Sequence, residues 1–101
     1  MKVDLTDKVA IITGSASGIG RGIALIFAEN GASVVINGIK EDEERGNKVV
    51  EEIRAAGGKA IFIKADVGNA EEARALADKT IEEFGRIDIL VNNAGVNVGM
   101  N

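Results

Sequence analysis

Four short apolar runs recur along the chain and predict the strands of a buried sheet. They cover residues 9–13, 33–37, 59–65 and 87–92, and each is rich in Ile and Val with little polar alternation. Runs of this kind are typical of parallel strands that are covered on both faces. The pattern therefore favours an α/β fold.

Three segments between these runs have apolar residues at helical spacing. They cover residues 18–30, residues 41–56 and a stretch that begins after Asn69, which we expect to cap its helix. A glycine follows each predicted helix, where it can take the left-handed conformation that ends a helix. These glycines are Gly31, Gly57 and Gly85.

The strict alternation of strands and helices predicts right-handed crossovers and a Rossmann-like, doubly wound parallel sheet with the strand order 3-2-1-4. Strands 1 and 4 are then neighbours, and their connections leave toward opposite faces. A crevice opens at the carboxyl ends of these strands, where dinucleotides bind in such folds. We expect one domain over residues 1–101, with four strands and three helices.

Composition narrows the classes of function. With 46% hydrophobic and 28% charged residues, the chain has the composition of a folded globular domain. It contains no Cys and no His, which excludes disulfides and the usual zinc ligands, and we expect no metal site.

The net charge of −4 and the absence of adjacent basic residues argue against nucleic acid as a partner. No apolar stretch is long enough to span a membrane or to form a signal peptide, so we expect no membrane association and a cytoplasmic location.

A turn with three glycines joins the first strand to the first helix. Residues 13–20 read Thr-Gly-Ser-Ala-Ser-Gly-Ile-Gly. Glycine lets backbone N–H groups approach an anion closely, and the following helix adds unpaired N–H groups and a positive dipole end. The spacing differs from the common G-x-G-x-x-G motif and from the P-loop. The turn predicts a phosphate site, although a tight strand-to-helix connection alone would use the same glycines.

Two further motifs follow later strands. Residues 66–67 are Asp-Val, and residues 92–95 are Asn-Asn-Ala-Gly. Together with the glycine turn, they resemble the short-chain dehydrogenase/reductase family in order and spacing, over about residues 8–96. The resemblance implies an oxidoreductase that transfers a hydride between NAD(P)H and a carbonyl or a secondary alcohol.

The resemblance also assigns roles to individual residues. The glycine turn would hold the pyrophosphate, and Asp66 and Val67 would border the adenine. Residues 93–95 would line the ribose on the nicotinamide side and also join strand 4 to strand 1. Alternatively, Asp66 has a purely structural role, as a turn residue ahead of the helix that is capped at Asn69. The predicted cofactor-binding residues are Gly14, Ser15, Ser17, Gly18, Ile19, Gly20, Asn37, Asp66, Val67, Asn93, Ala94 and Gly95.

The family's catalytic residues have no counterpart in this chain. Members that resemble it run to about 250 residues, a size typical of single α/β domains, and carry a Ser and a Tyr-x-x-x-Lys motif beyond the N-N-A-G loop. This chain has no Tyr and ends at Asn101. Ser15 and Ser17 would bond phosphate or ribose, and without a His base they are poor nucleophiles. We expect the cofactor-binding part of a larger reductase, inactive alone and inclined to form homo-oligomers through strand 4.

The choice between NAD and NADP depends on the end of strand 2. An acidic side chain there bonds the ribose 2′-OH and repels a 2′-phosphate, whereas a basic one attracts the phosphate. By resemblance, the acid that favours NAD belongs at position 38, and the usual arginine of NADP-preferring members belongs at position 39. This chain has Gly38 and Ile39 there, so neither residue is present. Lys40 is followed by acids at residues 41–44. The balance favours NADP by a small margin, with some use of both forms.

Two other classes of function remain open. One is a module that binds a dinucleotide without turnover. The other is an α/β domain for a different adenosine cofactor, such as S-adenosylmethionine, although a loop of the pyrophosphate type and the Asn-Asn-Ala-Gly sequence count against it.

Overall fold

A computed structural model describes residues 3–94 as one four-stranded parallel sheet between two helical layers. The strands are β1 (Val9–Ile12), β2 (Ser33–Gly38), β3 (Lys59–Lys64) and β4 (Ile89–Val91), and the helices are α1 (Gly18–Glu29), α2 (Glu43–Ala55) and α3 (Ala70–Phe84). The strand order is β3-β2-β1-β4, and every neighbouring pair is parallel. The predicted fold class, strand order and number of helices are confirmed.

Both faces of the two central strands, β1 and β2, are buried, which explains their unbroken apolar runs. Ile36 shares a core with Ala24 of α1 and Val49 of α2. The next residue back along β2, Val35, belongs to the opposite core with Leu76 of α3. Since successive side chains of a strand point to opposite faces, a strand covered on both sides must be apolar throughout.

The helix ends follow the signals in the sequence. Gly31, Gly57 and Gly85 have φ angles of 102°, 92° and 84°, in the left-handed region that favours glycine. Asn69 caps α3, and its side chain accepts a hydrogen bond of 3.0 Å from the N–H of Glu72. The three helices therefore end where the glycines predict.

The link from β2 to α2 differs from the prediction. β2 extends to Gly38, and α2 begins at Glu43, because residues Lys40–Asp42 form a 3-10 turn. The N–H of Asp42 donates to the carbonyl of Ile39 at 2.9 Å. This turn brings Asp42 back over the end of β2.

Close packing of α2 on β3 depends on a glycine. A Cβ atom on Gly46 would overlap the ring of Phe62, so only glycine lets the helix approach the sheet at this point. The contact holds α2 beside the carboxyl half of the sheet.

Candidate functional site

The two loops predicted to carry function lie next to each other at the carboxyl edge of the sheet. β1 and β4 are neighbours, and the Thr13 N–H extends their ladder with a 3.0 Å bond to the carbonyl of Val91. β1 leads into α1 on one face, whereas α3, which leads into β4, covers the other face. The strand order therefore switches at β1, which is the position where folds of this kind form a ligand crevice.

Thr13 joins the two loops. Its buried hydroxyl oxygen accepts hydrogen bonds from the N–H groups of Asn93 and Ala94, both at 2.9 Å. The Asn93 side-chain amide in turn donates to the carbonyl oxygen of Gly14 at 3.0 Å. The role expected for residues 93–94 in joining strand 4 to strand 1 is therefore present. Gly95 lies outside the described residues.

Thr13 is not among the site residues predicted from the sequence, where it only marks the start of the glycine turn. A hydroxyl at the last position of a buried apolar run was the available signal, because a buried hydroxyl must find hydrogen-bond partners.

Asn37 fastens the glycine turn to the rest of the sheet. Its side-chain nitrogen donates to the carbonyls of Ile63 and Ala65 at 3.1 and 3.2 Å, and its oxygen accepts from the N–H of Gly14 at 3.2 Å. The residue is only 1% exposed. Asn37 thus positions the turn from inside the protein, and its predicted contact with the cofactor stays a prediction.

Ser15 and Ser17 have different environments although they lie two residues apart. The buried Ser15 hydroxyl donates to the carbonyl of Ile12 at 2.6 Å and accepts from the N–H of Asn37 at 2.9 Å. Ser17 is exposed at the N-cap of α1, and its side chain makes no capping bond. The Ser15 hydroxyl is therefore used by the fold, whereas the Ser17 hydroxyl is available to a ligand.

The turn also carries backbone N–H groups that have no acceptor in the described part of the chain. Within residues 3–94, the N–H groups of residues 16–20 have no hydrogen-bond partner, and the first N–H beyond them, of Arg21, donates to the carbonyl of Ser17 at 3.2 Å. The first turn of α1 contains no acidic residue to offset its positive dipole end. Such a cluster of N–H groups favours an anion.

The three glycines of the turn are required for different reasons. A Cβ on Gly20 would lie 2.6 Å from the Asn93 side-chain nitrogen and would also overlap the carbonyl oxygen of Gly14. Gly14 has a φ of 62° and little space beside Ala94. Gly18 has a φ of 61°, but apart from the adjoining backbone of its own chain segment no described atom lies within 4 Å of a Cβ placed there. The space over Gly18 is open to a ligand, and the neighbouring Ile19 is 69% exposed.

The Asp-Val pair follows β3 at the same edge. Asp66 is exposed, and one of its carboxylate oxygens accepts from the N–H of Gly68 at 2.9 Å while its own N–H donates to the Glu72 carboxylate at 2.8 Å. Val67 packs against the core beneath α3. The turn role of Asp66 is therefore present, and its second carboxylate oxygen has no partner within residues 3–94.

Other features of the described part of the chain lie away from this edge or add nothing to it. A cleft of about 700 Å³ lies at the amino ends of β2 and β3, near Ser33 and Lys59, opposite the glycine turn. Over residues 3–94, no group of three or more acidic, His or Cys side chains is arranged to hold a metal ion. None of the helices described is long and apolar enough to cross a membrane.

The fold and the turn define a dinucleotide-binding type of α/β domain, and comparison with known proteins identifies its family. The sequence model of a family described as short chain dehydrogenase matches residues 8–101. The chain belongs to this family, which confirms the resemblance seen in its motifs.

Individual relatives support the same assignment. The chain is 54% identical over 89 residues to an uncharacterized oxidoreductase of Thermotoga maritima, covering 88% of this chain and 34% of that protein. It is 50% identical over 91 residues to the 7alpha-hydroxysteroid dehydrogenase of Escherichia coli K12, covering 90% and 35% respectively. The crystal structure of hydroxysteroid dehydrogenase from Escherichia coli superposes with a TM-score of 0.85 at 48% identity, over 91% of this chain and 37% of that one. The chain thus spans about a third of the length of the curated relatives it matches.

Proposed function

We propose that this chain is the NAD(P)-binding part of an oxidoreductase that interconverts a carbonyl and a secondary alcohol. The observation that carries the proposal is the row of N–H groups at residues 16–20, which have no acceptor within residues 3–94 and lie at the start of α1. Membership of the short chain dehydrogenase family supports a dinucleotide as the anion bound there.

The turn fits a pyrophosphate. Its backbone is fixed before any ligand arrives, because the Asn37 side chain bonds Gly14 and the Asn93 amide bonds the Gly14 carbonyl. The N–H groups and the helix dipole then act on the phosphates without the cost of ordering the loop. In this proposal the open space over Gly18 receives the pyrophosphate, and the Ser17 hydroxyl donates to it.

The two halves of the cofactor would extend from this point along the carboxyl edge. The adenosine lies toward β2 and β3, where the second carboxylate oxygen of Asp66 can accept from the exocyclic amine of adenine. The nicotinamide riboside lies toward β4, beside Asn93 and Ala94. The strand order β3-β2-β1-β4 supports this arrangement, because β2 and β3 lie on one side of β1, which leads into the glycine turn, and β4 lies on the other.

The cofactor supplies the hydride, and these residues hold and orient it. Carbonyl reduction also needs a proton donor beside the hydride acceptor, and the family's tyrosine has no counterpart because the chain contains no Tyr. We therefore propose that the 101-residue chain binds cofactor without turnover, and that the activity belongs to a longer protein. Relatives named as hydroxysteroid dehydrogenases support a secondary alcohol as the substrate class of that protein. A cytoplasmic location and a homo-oligomeric state remain predictions from the sequence.

Titration of the purified chain with NADH, NADPH and S-adenosylmethionine, followed by fluorescence or calorimetry, tests the proposed function. We expect at least one reduced nicotinamide cofactor to bind and S-adenosylmethionine not to bind. Binding of S-adenosylmethionine in place of both dinucleotides would support the adenosine-cofactor alternative. Turnover of the longer protein with a panel of secondary alcohols then separates an enzyme from a module that only binds.

A further inference from the structure

A carboxylate stands at the end of β2 although residue 38 has no side chain. A Cβ atom placed on Gly38 would lie 2.6 Å from the Asp42 Cβ and 3.0 Å from its Oδ2. The Asp42 side chain therefore fills the space that a side chain at residue 38 would take. Glycine at this position makes room for an acid that comes from the following turn.

The Asp42 carboxylate is held in place. Its Oδ2 accepts a hydrogen bond of 3.1 Å from the N–H of Ile39, and its Oδ1 accepts from the guanidinium of Arg45. The side chain is 25% exposed, so it faces both the protein and the solvent. A carboxylate has about four lone-pair positions, and the two that remain can accept from a ligand hydroxyl.

Residue 38 lies where the adenosine ribose would be. Its neighbour Asn37 bonds the glycine turn through Gly14, and the Gly38 carbonyl accepts from the N–H of Ala65 at 3.0 Å, next to Asp66. The end of β2 is therefore between the proposed pyrophosphate and adenine positions. In dinucleotide-binding folds an acid about 20 residues beyond the glycine motif bonds the ribose 2′-OH.

We propose that Asp42 is the residue that selects the form of the cofactor, accepting a hydrogen bond from the 2′-OH of NAD and repelling the 2′-phosphate of NADP. This inference rests on the proposed dinucleotide function. The sequence favours NADP by a small margin because Gly38 has no side chain and so supplies no acid at the end of β2. A carboxylate from Asp42 at the same place favours NAD instead. Arg45 offsets part of the Asp42 charge and so moderates the discrimination.

The test is the ratio of NADPH to NADH affinity in Asp42→Asn, measured by titration of the full chain. The amide removes the charge but keeps an acceptor for the Ile39 N–H, so folding should be retained. We expect the wild type to bind NADH more tightly and the ratio to rise about ten-fold or more in the variant, a change of about 1.4 kcal/mol. Glu44→Gln removes one charge from the same acidic segment and should leave the ratio within about two-fold.

Arg45 requires its own control, because the substitution of Asp42 releases its guanidinium. Asp42→Asn is therefore repeated in an Arg45→Gln background, where the ratio should still rise. A shift that vanishes in that background would assign selection to Arg45 and overturn the proposal. An equal shift of the ratio in Glu44→Gln would mean that the overall negative charge of the segment, and not the position of Asp42, sets the ratio. That result would also overturn the proposal.

Failure of this inference is distinguishable from failure of the proposed function. If the wild type binds neither NADH nor NADPH, the dinucleotide function is wrong and the role of Asp42 falls with it. If the wild type binds a dinucleotide but Asp42→Asn leaves the ratio unchanged, the function stands and only the assignment to Asp42 is wrong.

Discussion

The side-chain amide of Asn93 donates a hydrogen bond of 3.0 Å to the carbonyl oxygen of Gly14 and ties the loop after β4 to the loop after β1. Gly20, on the first turn of α1, lies directly against this bond. A side chain at residue 20 would meet both the donor nitrogen and the acceptor oxygen. The glycine is thus required by contacts inside the protein, independently of the proposed approach of a phosphate.

Gly20→Ala should lower the affinity for NAD(P)H at least ten-fold while the far-ultraviolet circular dichroism retains the helical signal. The added methyl group separates Asn93 from Gly14 and displaces the N–H groups at residues 16–20. Gly22→Ala is the matched control, because no described atom other than the neighbouring backbone of its own helix lies within 4 Å of a Cβ there. That control should keep its affinity and gain about 0.5–1 kcal/mol in stability, as expected for Gly→Ala inside a helix. Unchanged affinity in Gly20→Ala would contradict the phosphate assignment.

The two serines of the turn should respond in opposite ways. Ser15→Ala leaves the Asn37 N–H and the Ile12 carbonyl without the buried hydroxyl, so the free energy of unfolding should fall by about 1–3 kcal/mol. Ser17→Ala removes no bond within the described structure and should change stability by less than about 0.5 kcal/mol, but it should weaken cofactor binding. Urea unfolding and NADH titration of both variants provide the comparison. A stability loss in Ser17→Ala that exceeds the loss in Ser15→Ala would show that these positions are assigned incorrectly.

Thr13→Val should lower the free energy of unfolding by about 1–3 kcal/mol, and it should also weaken cofactor binding. Valine matches the shape of threonine but removes the hydroxyl oxygen that accepts from Ala94, and it leaves the N–H of Asn93 only its 3.1 Å bond to the carbonyl of Val91. Thr13→Ser keeps the hydroxyl and should retain most of the binding. Equal affinities for valine and serine at this position would mean that the loops hold together without Thr13.

Asp88 should make stability depend on pH in the acid range. Hydrogen bonds from Arg86, and then from the backbone N–H of Val9, hold the pKa of Asp88 below its usual value of 3.8. A carboxylate whose pKa is lowered by folding contributes stability above its unfolded pKa and loses it as the pH falls through its folded pKa. Asp88→Asn should therefore be less stable than the wild type near neutral pH, and the difference should shrink below about pH 4.

Urea unfolding at several pH values measures this difference. Asp78→Asn, on an exposed position of α3, is the control for the loss of one charge. A difference between wild type and Asp88→Asn that persists unchanged at pH 2 would show that the hydrogen bonds of Asp88 do not favour its charged form.

The edge at β4 should promote association of the chain. Within residues 3–94, β4 pairs only with β1, and Leu90 at its centre is 63% exposed. An unpaired edge presents N–H and C=O groups to a neighbouring molecule. Sedimentation of the 101-residue chain should show dimers or larger species, and Leu90→Lys should shift the distribution toward monomers. A monodisperse wild-type monomer would contradict the prediction that the β4 edge promotes association. Measurable reductase turnover by this chain would separately contradict its predicted inactivity.

The sequence predicted the fold well because the signals were local. Apolar runs and terminal glycines depend only on neighbouring residues, so the strands, the helices and their order followed from periodicity and known crossover rules. The position of the glycine turn beside the loop at residues 92–94 followed from the strand order alone. Family motifs then narrowed the site to these loops.

Side-chain direction could not be predicted in the same way. Ser15 and Ser17 are chemically identical, but the turn points one into the core and leaves the other exposed, and no periodicity governs an irregular loop. The link between Asp42 and Gly38 was hidden for a related reason. It depends on a 3-10 turn at Lys40–Asp42, a segment whose acids indicated only the start of a longer α-helix.

The hydrogen bonds of Asn37 have a consequence for solvent exchange. The amides of Gly14 and Ser15 both donate to Asn37, one to its side chain and one to its carbonyl, and the Asn37 amide donates to the Ser15 hydroxyl. All three bonds join Asn37 to the start of the glycine turn, so a motion that separates these two segments breaks them together. In deuterated solvent they should therefore exchange at a common slow rate, set by the opening of the whole sheet edge, although two of them belong to a loop.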